Sequence, residues 1–384
     1  RFSFRIWEGI MNSRKTFAAI DLEAYRYNLR YLTSKACPAK VMAVVKADGY
    51  GHGAVQLARV AQEEGVEYLA VAFLEEGLRL REAGIKIPIL VLNYVEPSSF
   101  EAAFENNLTL TIVSHEQLKA IEASMKSGTA MNSAFHIVVD TGMRRLGLEW
   151  RESLNLLKAS IDIGLNVEGA YTHFATADEK GSGFVAEQLK AFLSFLNQAE
   201  RITKKTLLKH ISNSAGIMYI DNSYFDYVRA GIASYGLQPS SQRDENLRPV
   251  LQWKTCISFV KKIYPGYGVG YGQTFVADRE MTVATIPVGY ADGYNRHLSN
   301  RGFVIISGRR CPVLGRVCMD QFVVDVTHLD HSPKVGDEVV LIGSQGNESI
   351  SAEEMAEWNG TINYEVTCAI SSRVPRLYMK GENI

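Results

Sequence analysis

Between about residue 40 and residue 235, short β-branched and aliphatic runs alternate with longer segments whose apolar positions recur at helical spacing. The short runs are VMAVVK (41–46), YLAVAF (68–73), PILVL (88–92), LTLTIV (108–113), HIVVD (136–140), EGAYTHF (168–174), LLKHISN (207–213) and YVRAGI (227–232). Segments such as GAVQLARVAQEEG and LEEGLRLREAG between them read as amphipathic helices. Alternation of this kind predicts repeated βα units around a parallel sheet. Eight such runs in this length match an α/β TIM barrel. A doubly wound sheet is disfavoured, because no G-x-G-x-x-G follows a strand.

Beyond residue 240 the texture changes. LQWKTCISFVKKI, TVATIPVGYA, FVIISGRRCPVLGRV, QFVVDVT and DEVVLIG are strand-like runs separated by Gly-rich turns. They predict a mostly antiparallel β domain in which helices nearly vanish. FAAIDL (17–22) precedes the first barrel helix and is a candidate extra strand of that domain. Recognisable patterning starts only near Thr16, so residues 1–13 are expected to be an expression remnant or a linker. The barrel is then expected over 14–245 and the β domain over 246–384.

Composition narrows the class. Hydrophobic residues make up 46 % of the chain and charged residues 22 %, which predicts a sizeable globular core rather than disorder. Against 41 basic residues stand 42 acidic ones, with no long run of either sign, so neither nucleic acid nor an anionic membrane is an expected partner. No apolar stretch reaches the roughly 20 residues that span a bilayer, and no basic start followed by an apolar core marks export. The five cysteines (Cys37, Cys256, Cys311, Cys318, Cys368) are scattered and form no C-x-x-C pair. That argues against a disulfide framework or a metal site and fits a reducing cytoplasm.

In a TIM barrel the working residues sit at the C-terminal ends of the strands. Lys46 ends the first run; a lysine there is ordinarily a solvated cap, but Tyr50 and His52 follow it between Gly49, Gly51 and Gly53. His173 closes the sixth run and, taken alone, reads as a satisfied core histidine. Asn213 and Ser214 follow the seventh, and Arg229, Gly231 and Ile232 belong to the eighth, where the arginine alone suits a structural ion pair equally well. A hydroxyl and Gly-rich backbone N–H groups at the last two strands are where such barrels bind phosphate. A lysine opposite a phosphate site points to a Schiff base with pyridoxal phosphate (PLP).

The ordered motifs AVVKADGYGHG, VVDTGMRRLG, YTHFATAD, ISNSAG, RAGIASYG, VGYGQTF, IPVGYADGYNR, GRVCMDQ and INYEVTCAISSRVPR resemble those of the alanine racemase family, over about residues 16–380. The resemblance implies a homodimer with shared active sites and a small amino acid as substrate. It implies that Lys46 holds the cofactor and is the base on one face of the bound amino acid, with Tyr271 of the partner subunit as the base on the other. Inversion needs proton removal on one face of Cα and delivery on the opposite face, by groups that ionise near working pH. A free tyrosine, near pKa 10, is too weakly acidic; in the family His173 contacts that tyrosine, and Arg229 contacts both His173 and the cofactor's pyridine nitrogen. By the same resemblance Tyr50, Ser214, Gly231 and Ile232 hold the phosphate, with Asn213 beside them. Arg145, Tyr290, Met319 and Asp320 then form the substrate pocket, the last two from the other subunit.

Two positions depart from the family. Val138 stands where a carbamylated lysine commonly bridges to the arginine, so no carbamate is expected, and Arg145 must be oriented by water, an anion or another side chain. Ser372 stands where a tyrosine usually touches the phosphate and walls the pocket, which leaves a serine or broader small-amino-acid racemase as the alternative substrate reading. A PLP carrier built on a lone barrel has no need of the β domain. A PLP-dependent decarboxylase of related fold usually has an acid where Arg229 stands.

Overall fold

The computed structural model describes residues 14–125, 133–221 and 223–380. Residues 1–13, expected to be a remnant or linker, lie outside the described residues. The chain divides into two compact units: Tyr25–Gly49 with Gly53–Arg248, and the residues up to Ala24 with Tyr50–His52 and those from Pro249 onward.

The first is a closed barrel of eight parallel strands: β2 (Lys40–Val44), β3 (Tyr68–Val71), β4 (Ile89–Val91), β5 (Thr109–Ile112), β6 (Ala134–Asp140), β7 (Asn166–Tyr171), β8 (Leu208–His210) and β9 (Tyr227–Ala230). They pair in the order β5-β4-β3-β2-β9-β8-β7-β6, and β5 closes onto β6. Every residue of β3, β4, β5 and β9 is buried, as strands covered on both faces require. Helices return the chain between strands. α2 (Ala54–Glu63) buries Ala54, Leu57, Ala58, Val60 and Ala61, one stripe at helical spacing. α3 (Leu74–Glu82) starts where Glu76 turns back to accept the Phe73 N–H at 3.1 Å and the Ala72 N–H at 2.7 Å. The eight runs read from the sequence coincide with the eight barrel strands, with ends that differ by a few residues: the strands at Lys40, Ala134 and Asn166 begin before their runs, and most end earlier.

The second unit is a ten-stranded sheet into which β1 (Phe17–Asp21) is drawn from the start of the chain. Its other members are β10 (Leu251–Cys256), β11 (Phe259–Ile263), β12 (Met281–Ile286), β13 (Phe303–Ile306), β14 (Arg309–Leu314), β15 (Phe322–Asp325), β16 (Glu338–Gln345), β17 (Glu348–Ile350) and β18 (Arg376–Met379). The order is β11-β12-β15-β14-β13-β16-β10-β1-β18, with β17 on β16; all pairs are antiparallel except β1 with β18. Trp253, Tyr294 and Phe322 are fully buried there, the last two rings stacked at 4.4 Å.

Two expectations are corrected in this unit. LQWKTCISFVKKI is two strands rather than one, because the chain changes partner across two residues: Ile257 donates its N–H to Asp337 O and Ser258 to Thr285 O. Helices do not vanish either. α9 (Ala352–Asn359) is capped by Ser351, whose Oγ accepts the Glu354 N–H at 3.1 Å, and it ends on Gly360 in a left-handed conformation. α10 (Asn363–Ala369) follows. The S-x-x-E spacing at Ser351 and Glu354 is a capping signal that the strand-rich surroundings obscured.

Gly289 lies where two backbones meet: a Cβ there would fall 2.3 Å from the carbonyl oxygens of Cys318 and Met319. Gly289→Ala is expected to destabilise this unit by about 3 kcal/mol through overpacking that backbone cannot relieve. A lower urea midpoint by circular dichroism checks it.

Candidate active site

In the barrel unit, Lys46 lies two residues past the end of β2, and the backbone after it is strained. Ala47, Asp48, Gly49 and Tyr50 all have φ between 51° and 62°, a left-handed turn that costs about 1–2 kcal/mol for each residue with a side chain. Such strain persists only where the surroundings over-determine it. Glu76 Oε1 accepts the Ala47 N–H at 2.6 Å, Asp48 Oδ1 accepts the Ala54 N–H at 3.0 Å, and Val45 O accepts the Gly49 N–H at 2.9 Å. The Cα of the partly exposed Lys46 is therefore held from both sides.

His173 and Arg229 sit at the C-terminal ends of β7 and β9, the strands on either side of β8. Arg229 is 3 % exposed, and its Nη2 donates to Thr172 O (2.8 Å) and Ile211 O (2.9 Å) and lies 3.2 Å from His173 Nδ1. Its Nη1 lies 2.7 Å from His210 Nδ1, and its guanidinium lies 5.3 Å from the centre of the Tyr171 ring. A guanidinium can only donate, so both facing ring nitrogens are acceptors. The His173 ring is held well below its ordinary pKa by burial first, then by the charges of Arg229, Arg145 and Lys46. It is thus neutral, with its proton on Nε2. Asn213 Nδ2 approaches that atom at 3.3 Å but is itself a donor, since Asn213 Oδ1 accepts the Gly216 N–H. No acceptor for the Nε2–H is seen among the described residues.

Asn213 caps α8 (Ser214–Tyr219), and Ser214 opens it. Ser214 Oγ accepts the N–H groups of Gly231 (3.0 Å) and Ala233 (3.2 Å), which occupies both lone pairs and leaves the hydroxyl proton to give. Ile232 opens a 3₁₀ turn, Ile232–Tyr235, and its N–H has no acceptor within that turn. The donor set suits an anion.

Arg145 is exposed and makes no hydrogen bond or ion pair among the described residues. Val138, buried on β6, offers no amine to carbamylate. The turn that carries Arg145 is instead tied by Asp140, whose Oδ1 accepts the N–H groups of Gly142 (2.8 Å) and Arg144 (3.1 Å).

In the other unit, Gly270, Tyr271, Cys318, Met319, Asp320 and Gln321 line a depression of about 470 Å³. Tyr271, Met319 and Tyr290 are 72 %, 53 % and 43 % exposed. Tyr290 and Ala291 donate their N–H groups to Cys318 O and Met319 O, which ties the tyrosine's loop to the depression. Asp320 is held at 2.9 Å by Arg373, which also lies 3.6 Å from the fully buried Asp292; Arg14 grips Asp292 in bidentate fashion at 2.7 and 2.8 Å. Ser372 is exposed in a turn, and the neighbouring Ser371 Oγ donates to Ala291 O. Tyr50 is buried against Tyr364, and a Cβ on Gly51 would meet Thr367 O at 2.2 Å.

Sequence reading named Lys46, Arg145, His173, Asn213, Ser214, Arg229, Gly231 and Ile232 in one unit, and Tyr50, Tyr271, Tyr290, Met319, Asp320 and Ser372 in the other. It missed His136, His210, Asp292 and Arg373. A polar residue in an otherwise apolar barrel strand was the available signal for the two histidines.

A βα barrel with a lysine just past its first strand, an anion-seeking donor set at its last two strands and a following β unit defines a barrel enzyme of amino-acid chemistry. Family models agree: the alanine racemase N-terminal domain matches residues 20–239 and the C-terminal domain residues 250–378. The chain is 44 % identical over 370 residues to the alanine racemase of Halothermothrix orenii, covering 95 % of this chain and 97 % of that one. To the alanine racemase of Desulforamulus reducens it is 45 % identical over 369 residues, covering 94 % and 98 %. A crystal structure of alanine racemase from Bacillus anthracis with bound L-Ala-P superposes with a TM-score of 0.91 at 38 % identity, covering 97 % and 96 %. The chain belongs to the alanine racemase family.

Two imidazoles beside Arg229 give the barrel a pH signature. His173 and His210 are both held well below their ordinary pKa, by burial first and then by Arg229. The folded state therefore refuses protons that the unfolded chain accepts near pH 6.5, so stability is full above that pH and is lost as pH falls. Between about pH 5 and 6 the expected slope is about 1.4 kcal/mol per pH unit for each ring. Urea denaturation across that window measures it.

Proposed function

We propose that this enzyme interconverts L- and D-alanine with pyridoxal phosphate as cofactor, through Lys46 on one face of Cα and Tyr271 of the partner subunit on the other. The observation that carries the reading is a neutral His173 beside Arg229 at the barrel end that also bears Lys46.

Pyridoxal phosphate, when bound, supplies the conjugated electron sink that makes Cα–H of an amino acid acidic. Lys46 holds it and carries a proton to and from one face. The barrel residues fit such a group: Ser214 has a proton to give to a phosphate, and the Ile232 N–H, next in sequence to Gly231, has no acceptor within its turn. Arg229, buried and permanently charged, is the partner for the pyridine nitrogen. A cation there keeps that nitrogen unprotonated and weakens the sink, which favours proton return over transamination or decarboxylation. His173, with Nε2–H unengaged, is suited to donate to the oxygen of Tyr271 and so stabilise its ionised form as a base. Arg145 binds the substrate carboxylate, and Tyr290, Met319 and Asp320 shape the pocket.

The homodimer belongs to the same reading. Tyr271, Met319 and Tyr290 leave a large exposed apolar and aromatic surface, the composition that subunit interfaces favour. No helix among the described residues is long and apolar enough to cross a membrane.

In D₂O with added cofactor, both hands of alanine are expected to exchange Cα–H for deuterium and converge on the racemate. Lys46→Ala abolishes both processes. Tyr271→Phe slows racemisation by about 10²–10⁴-fold, the usual weight of a general base, while exchange without inversion persists from one hand only. Equal loss of exchange from both hands in Tyr271→Phe would refute the two-base assignment.

Substrate breadth turns on Ser372, whose exposed hydroxyl leaves the space of a larger ring open. Serine is expected to be racemised besides alanine, and Ser372→Tyr to lower kcat/KM for serine relative to alanine about tenfold. Activity confined to alanine in the parent enzyme refutes this reading of Ser372.

A further inference from the structure

Barrel interiors are ordinarily filled by branched aliphatic side chains, yet here a chain of polar groups runs through the core. Arg229 Nη1 lies 2.7 Å from His210 Nδ1; His210 Nε2 lies 2.9 Å from His136 Nδ1; His136 Nε2 lies 3.3 Å from Glu168 Oε1. Both imidazoles are fully buried. Glu168 also receives the Tyr68 hydroxyl at 2.8 Å, and Tyr68 Oη lies 2.6 Å from Thr109 Oγ1. The Tyr171 ring stacks on His210 at 4.8 Å.

Donor counting gives the chain a direction. The guanidinium only donates, so His210 Nδ1 accepts and the neutral ring carries its proton on Nε2. That proton goes to His136 Nδ1, which places the His136 proton on Nε2, facing a carboxylate. A proton on His136 Nδ1 would confront the His210 Nε2–H and break the chain. The sequence of groups thus runs from a fixed cation to an anion with both imidazole dipoles aligned.

The backbone is shaped for it. Phe135 pairs with Val167 but His136 pairs with Gly169, so Glu168 is the extra residue of a bulge between β6 and β7. Bulges re-aim a side chain, and this one brings Glu168 to His136. Gly169 leaves the room: a Cβ there would stand 2.4 Å from His136 Cε1. Burial raises the Glu168 pKa, but the hydrogen bonds from His136 and Tyr68 and the charge of Lys205 outweigh it and the carboxyl is held below its ordinary value, hence ionised.

We propose that Glu168 is a positioning residue which, through His136 and His210, fixes the imidazole tautomer that receives Arg229 and so holds the guanidinium in place for the reaction. The proposal rests on the reading of Arg229 and His173 given above for its functional consequence, and on the barrel's own hydrogen bonds for its structural one. An acceptor at position 168 suffices for the tautomer order, so Glu168→Gln keeps it and Glu168→Leu removes it.

The test has two arms. Ring ¹⁵N–¹H spectra of the cofactor-free wild-type protein are expected to show His136 and His210 as Nε2–H tautomers, kept in Glu168→Gln and mixed in Glu168→Leu. In the cofactor-loaded enzyme Glu168→Leu is expected to lower kcat about tenfold, the usual scale for removing an outer hydrogen-bond partner, with KM changed less than twofold, while Glu168→Gln stays within threefold of wild type. A wild-type His210 protonated on Nδ1 overturns the proposal, whether or not any variant folds. So does a Glu168→Leu protein with unaltered tautomers, or one with altered tautomers and unaltered kcat. The spectra need neither cofactor nor turnover, so a wild-type enzyme inactive on alanine sinks the functional reading and leaves the tautomer result standing.

Discussion

A guanidinium kept inside a barrel constrains everything near it. Removing a charge from water is costly unless each of its donors finds an acceptor, and Arg229 finds the carbonyls of Thr172, His210 and Ile211 and two imidazole nitrogens. Burial first, and then the fixed charge of the guanidinium, keep the two histidines beside it neutral. The aromatic face of Tyr171 lies over the same groups. The small residue at Gly169 follows from the same demand, since the bulk of His136 has to be accommodated.

Other parts of the chain are stiffened by other means. The left-handed turn after Lys46 stores backbone strain, and the side chains of Glu76 and Asp48 hold it. In the second unit the buried carboxylate of Asp292 joins Arg14, the Gly289 N–H and Arg373, and Arg373 in turn holds Asp320. Each unit thus stiffens its own loops through hydrogen bonds and ion pairs made within it.

Much of this was legible from one sequence. The eight barrel strands were readable because each is a continuous apolar run closed by polar residues, and Lys46, His173 and Arg229 stood out at the ends of such runs. α9 and α10 were not, because short helices among strands carry only a cap as their signature. The division of LQWKTCISFVKKI at Ile257 was hidden as well: a strand that changes partner keeps its composition.

Composition and period, acting through local preference and burial, determined by themselves that this chain forms a parallel barrel and a β unit, and the order of its motifs determined its family. Tertiary structure alone decided which nitrogen of each histidine receives a proton, and that a one-residue bulge aims Glu168 at His136. It also decided that Asp292 would be buried and linked through Arg373 to Asp320. Those outcomes depend on register and distance between residues far apart in the chain, and a hydrogen bond made across 74 residues, like that of His136 with His210, leaves no trace in local pattern.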